Sequence, residues 1–78
     1  MLTYKAMYAS VGGGVHAEVL DFPGVISCGP DLATARRLLA GALADMAETR
    51  LLRGQPLPTP DPTRTDPDSD LEEPIHLL

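Results

Sequence analysis

The chain has 78 residues, a formal net charge of −5 and a single cysteine, Cys28. That length allows one domain with a small core, burying only ~60% of the surface its unfolded chain exposes, and a lone cysteine excludes an intramolecular disulfide to staple it. No apolar run approaches the ~18 residues of a membrane span and the N-terminus lacks a secretory pattern, so a cytoplasmic protein without membrane association is expected. The charge is confined to one end. Up to residue 60, Glu18, Asp21, Asp31, Asp45 and Glu48 balance Lys5, Arg36, Arg37, Arg50 and Arg53; beyond it, six carboxylates face only Arg64. A neutral body with an acidic tail lacks the cations that displace counterions from nucleic acid, so autonomous nucleic-acid binding is not expected; a basic partner suits it better. With so small a core, self-association is the remaining source of stability, and a homo-oligomer is expected.

Leu2 to Ala9 reads as a strand of period two, with Leu2, Tyr4, Ala6 and Tyr8 on one face and Thr3, Lys5, Met7 and Ala9 on the other. Gly12-Gly13-Gly14 is a turn, and Val15 to Leu20 returns as a second strand with Val15, Ala17 and Val19 inward, completing a β-hairpin. Phe22-Pro23-Gly24 then breaks the strand, because proline cannot donate to a ladder and Pro-Gly suits a type II turn. Val25 to Cys28 forms a short third strand, ended by Gly29-Pro30. Its apolar context predicts Cys28 as a buried, structural thiol.

Asp31 is a helix N-cap, and Leu32, Ala35, Leu39, Ala42, Leu43 and Met46 recur at three- and four-residue steps as an amphipathic stripe. Gly41, costly inside a helix, suggests close packing on the sheet. Arg50 and Arg53 suit the negative pole, Gly54 sits at the C′ position and Pro56 prevents continuation. Pro56, Pro58, Pro60, Pro62 and Pro67 then alternate with Thr, Asp and Ser in a stiff, extended or disordered linker. Pro74 to Leu78 is expected as a final short strand, the alternative being a frayed apolar tail.

The predicted fold is α+β. Residues 1–54 form a sheet-and-helix body, 55–73 a Pro-rich acidic linker and 74–78 the last strand of the same domain. Three strands make an antiparallel meander, the long helix covers one face, and the last strand lies beside the first in parallel orientation, giving the order 3-2-1-4. The other face, with Thr3, Lys5, Met7, His16, Glu18 and Leu20, is left to solvent or a second subunit.

Strand, Gly-rich turn, strand, Phe-Pro-Gly, short strand, Gly, long helix and Gly-x-Pro-x-Pro follow one another in an order that resembles the HicB-like antitoxins. The residues that carry the resemblance are Tyr4, Gly12 to Gly14, Ala17, Asp21 to Val25, Ser27, Gly29, Ala35, Leu39, Ala42 and Gly54 to Pro58. Together they span most of residues 2–60. The resemblance implies a partial RNase H-like fold, and as partner a small basic HicA-like toxin that cleaves messenger RNA through a histidine, which the antitoxin domain covers. Full-length members usually add a C-terminal DNA-binding domain. No room remains for one after the last strand, so operator binding is not expected.

The residues offer no catalytic constellation, and a non-enzyme without cofactor or metal is expected. Two-metal nuclease chemistry needs converging carboxylates, with the first expected on the first strand; Leu2 to Ala9 holds none, while Glu18, Asp45 and Glu48 are scattered. His16 and His76 lack cysteine or carboxylate at ligand spacing, and Ser27 lacks a Gly-x-Ser-x-Gly elbow. Phe22, Pro23, Gly24, Gly29, Asp31, Gly54, Pro56 and Pro58 are architectural. The partner-binding candidates are Asp61, Asp66, Asp68, Asp70, Glu72 and Glu73, for which the plainer reading is charge that keeps a proline-rich segment soluble. An antitoxin-type protein that masks a small basic ribonuclease is the leading expectation. The alternatives are a stand-alone homo-oligomeric module and, behind it, an RNase H-like nuclease.

Overall fold

The computed structural model describes residues 1–77. Its elements are β1 (Leu2–Val11), β2 (Gly14–Val19), β3 (Ile26–Gly29), α1 (Leu32–Leu52) and β4 (Leu71–Leu77). They form a four-stranded sheet of order β3-β2-β1-β4 under a single helix, the predicted α+β arrangement. Gly12 and Gly13 close the hairpin at φ 55° and 84°, the positive values a two-residue type I′ turn demands. Val11 therefore pairs with Gly14, and the register runs on to Ala6 opposite Val19.

The even-numbered residues of β1 and the odd-numbered ones of β2 face the helix, as period two predicts. Tyr4, Ala6, Tyr8, Ala17 and Val19 are buried against Ala35, Leu39, Leu43 and Ala47. Phe22 and Val25 close one end of this core, and the Tyr4 and Phe22 rings meet edge to face at 5.3 Å. Both helix caps follow the sequence. Asp31 Oδ1 accepts the Thr34 N–H at 2.7 Å. At the other end Gly54, at φ 69°, donates to the Leu51 carbonyl, and Gln55 donates to that of Arg50 at 2.8 Å, a Schellman motif.

Several expectations are corrected. β4 runs antiparallel to β1, not parallel, with Leu2 opposite Leu77 and Tyr8 opposite Leu71. The reason is the linker, which does not hand the chain directly into a strand at the helix's end but carries it back along the length of the sheet. Asp70 N–H donates to the Tyr8 carbonyl and its carboxylate accepts the Ser10 N–H, so the chain enters β4 beside the C-terminal half of β1. The strand also starts at Leu71 rather than at residue 74, because Glu72 and Glu73 both find partners within the pairing; Leu78 lies outside the described residues. The linker has fixed contacts: the Tyr4 hydroxyl donates to the Pro58 carbonyl at 2.7 Å, and Leu57 packs on the core.

Cys28 is exposed, not buried, because the pleat turns it away from the helix beside His16, while Ser27 takes the helix-facing position. Gly41 is not a packing contact either. It is exposed, and a Cβ there would meet nothing within 4 Å. The close approach falls instead at Gly29, where a Cβ would lie 3.0 Å from the Ala35 nitrogen.

Candidate interaction surface

The second face of the sheet divides into a covered half and a bare half. On β1 and β4 the covering is the linker. Glu72, opposite Met7 in register, accepts hydrogen bonds from Asp66 N–H at 3.0 Å and from the Thr65 hydroxyl at 2.8 Å, and lies 3.7 Å from Lys5 Nζ. Residues 61–69 therefore pass over this half, and Met7 is only 2% exposed although it points away from the helix. The predicted open face is thus open only over β2 and β3. There His16, Glu18, Ile26 and Cys28 remain at the surface, with His16 Nε2 bonded to Glu18 Oε2 at 2.9 Å.

Asp21 pins the linker in place. It is 6% exposed, the sole buried charged side chain among the described residues. Its Oδ1 accepts the Lys5 N–H at 2.8 Å and its Oδ2 accepts the Asp61 N–H at 2.9 Å. One carboxylate thereby joins the first strand, the chain break after β2 and the start of the acidic stretch. In the sequence Asp21 stands out only as the first residue of the Asp21 to Val25 string. The available signal was its position: an acid directly after an apolar strand and before Phe-Pro-Gly, where backbone N–H groups leave the ladder unpaired.

The structure places the six candidate acids along one path, and most of them bond within the chain. Asp61 Oδ1 accepts from the Thr63 hydroxyl at 2.6 Å, and these bonds lower its pKa. Asp66 Oδ1 takes the Asp68 N–H at 2.9 Å, and Asp70 Oδ2 takes the Ser10 N–H at 2.7 Å. Glu72 is held down to a pKa of about 2, chiefly by the Asp66 N–H and the Thr65 hydroxyl. Glu73 turns to the helix side and grips Arg36 through both oxygens, at 2.7 and 3.0 Å, which lowers its pKa. The Arg36 guanidinium also lies 5.8 Å from the centre of the Tyr8 ring. Burial, followed by the charge of Glu73, pushes the Tyr8 hydroxyl up to about 12. Only the Asp68 carboxylate, exposed, has no hydrogen bond among the described residues.

The remaining predicted residues have structural places. Phe22 is sealed in the core, Gly24 turns at φ 91°, Pro23 and Pro56 are exposed, and Pro58 receives the Tyr4 hydroxyl. Among the described residues, no three His, Cys, Asp or Glu side chains gather as a metal site, and no helix is long and apolar enough to cross a membrane. His76 Nδ1 is bonded to the Thr3 hydroxyl at 2.9 Å across β1 and β4. What the surface offers is two features suited to macromolecular contact: an acidic ridge over the linker, and a bare half-face ending in an unpaired strand edge.

These two features lie on the second side of a small antiparallel sheet under one helix. The fold is that of an antitoxin's N-terminal domain. The crystal structure of the N-terminal domain of Burkholderia pseudomallei antitoxin HicB superposes with a TM-score of 0.82 at 18% identity, covering 99% of both chains. A chain of the HicA3 and HicB3 toxin–antitoxin complex superposes with a TM-score of 0.67 at 24% identity, covering 85% of this chain and 73% of that one. No protein-family model matches the sequence, and no curated protein is significantly similar to it.

Proposed function

We propose that the chain is a HicB-like antitoxin domain that binds a small basic ribonuclease toxin and acts by steric masking. The observation that carries this reading is the end-to-end likeness to an antitoxin N-terminal domain, with no segment of either fold left over. The likeness to a chain from a toxin–antitoxin complex supports a HicA-like partner. The acidic ridge supplies the complementary charge. Asp61, Asp66, Asp70 and Glu72 are held in position by backbone and hydroxyl donors, and the exposed Asp68 carboxylate stands free among them. A preorganised anionic ridge steers a cationic partner and loses little entropy on contact.

The test is co-expression and co-purification of the chain with a small basic HicA-like toxin from the same genome, together with an assay of the toxin's RNA cleavage. Stoichiometric binding and loss of cleavage are expected. Asp68→Lys, at a carboxylate with no internal role, is expected to slow association roughly three- to tenfold at low salt and to leave the melting temperature unchanged. Absence of binding with cleavage undiminished would exclude the masking role.

A further inference from the structure

The two edges of the sheet are protected unequally. β4 carries Pro74 at its centre, preceded by Glu72 and Glu73, and proline and charge are the usual guards of an exposed edge. β3, Ile26-Ser27-Cys28-Gly29, has no proline, charge or bulge, and it pairs on one side only, with β2. Val25 belongs to the paired side, since its carbonyl takes the Val19 N–H at 2.9 Å. Backbone groups alternate along an antiparallel strand, so Ser27 also turns to β2, while the N–H and C=O of Ile26 and Cys28 point out from the sheet. No other described segment bonds to them. The side chains agree: Ile26 is 57% exposed, and Cys28 beside it is exposed.

We propose that this edge is a self-association site, on which two copies join β3 to β3 in antiparallel register about a two-fold axis at Ser27, forming one continuous sheet. That register sets Ile26 opposite Cys28 of the second copy, twice over, and each such pair exchanges both of its outward hydrogen bonds. It brings two apolar pairs together on the bare half-face. Moving the axis to Cys28 would leave a single bonded pair and set Ile26 against Pro30, which has no N–H to give. The second copy is the fitting occupant because the edge complements itself: its outward donors and acceptors are symmetric about Ser27, and its flanking side chains are apolar on both sides of that point. An axis perpendicular to the sheet also keeps both helices on one face. The flank of α1 above β3 carries Leu38, 41% exposed and one turn beyond Thr34, whose Cβ lies 3.3 Å from the Cβ position of Gly29. Leu38 therefore adds apolar area next to the joined strands. This inference is independent of the toxin reading, since it requires only the chain itself.

Sedimentation of the full chain over about 1–100 μM is combined with oxidative cross-linking of Ile26→Cys. Opposed Cα atoms in a bonded pair lie ~5.5 Å apart, within disulfide reach. In the proposed register the two native Cys28 residues are offset by two residues along the strands, roughly 8–9 Å apart, which is beyond it. The mass of two chains is expected at the upper concentrations. Ile26→Cys is expected to cross-link to a covalent dimer under mild oxidant, and the unmodified chain to stay uncross-linked. Ile26→Lys is expected to sediment as a folded monomer with an unchanged circular dichroism spectrum. A monomer throughout the range overturns the proposal. So does failure of Ile26→Cys to cross-link, whatever the mass, and so does cross-linking of the unmodified chain.

Discussion

At the scale of single residues the structure rests on carboxylates that bond to backbone. Asp21 holds two N–H groups that nothing else satisfies, so its truncation orphans both donors. Asp21→Ala is expected to lower stability by about 2–4 kcal/mol in urea denaturation, at the upper end of what unsatisfied buried donors cost. Glu72 gives a pH signature. Its folded pKa is about 2 against an ordinary 4.5. A carboxylate depressed on folding stabilises above its unfolded pKa and loses that contribution as pH falls through the folded one. Stability is therefore expected to be level near neutrality and to fall between about pH 4.5 and 2. Glu72→Gln is expected to flatten part of that fall, and NMR titration of the Glu72 side chain should place its midpoint near 2. Tyr8 works in the opposite sense. The neutral hydroxyl is favoured in the fold, so its contribution holds below pH 10 and is lost on the way to about 12.

The elements show which sequence signals are self-sufficient. The hairpin turn, the helix and both its caps were legible because each is settled by neighbours within a few residues: two positive-φ glycines, an Asp three residues before an N–H, a Gly just past the last turn. Glycine alone does not reveal its purpose. In the sequence Gly41 reads as the packing residue and Gly29 as the end of a strand, yet Gly41 faces open space and Gly29 sits against the Ala35 backbone. The difference depends on how the helix lies over the sheet, which no local pattern records. Substituting both separates the cases. Gly41→Ala is expected to stabilise the chain by up to ~1 kcal/mol, the helix-propensity difference. Gly29→Ala is expected to destabilise it by about 1–3 kcal/mol, since a backbone nitrogen at 3.0 Å cannot rotate away. Thermal melts of the two variants should move in opposite directions.

For the molecule as a whole, the linker was the illegible part. Its composition predicts an extended chain, and the order of strands followed, but proline and acid content carry no direction. A connection of that length can enter the last strand from either end of the sheet. The deciding contacts, Tyr4 to Pro58, Asp21 to Asp61 and Asp70 to Tyr8, join residues far apart in sequence through groups common in any loop. They also changed the candidate site. The acids form a fixed ridge rather than a free strip, and only the β2 and β3 half of the second face is open. Hydrogen exchange tests this arrangement. The amides of Asp61 and Asp70, bonded across the fold, and that of Asp66, bonded to Glu72 of β4, are expected to exchange well behind that of Thr65. A freely moving tether would show uniformly fast exchange through the segment.

The placing of β1 has a consequence for how the protein is made. It is the first strand of this sheet to be synthesised, yet it lies between two neighbours, and the one on its β4 side is not complete until residue 77. The hairpin and helix can assemble some 25 residues earlier, an interval of roughly 1–5 s at ~5–20 residues per second. Throughout it, one side of the strand that bears Tyr4, Ala6 and Tyr8 has no neighbour. A nascent chain halted in that interval is the sticky, protease-sensitive species, and the speed of translation through the proline-rich stretch sets how long each molecule spends in that condition.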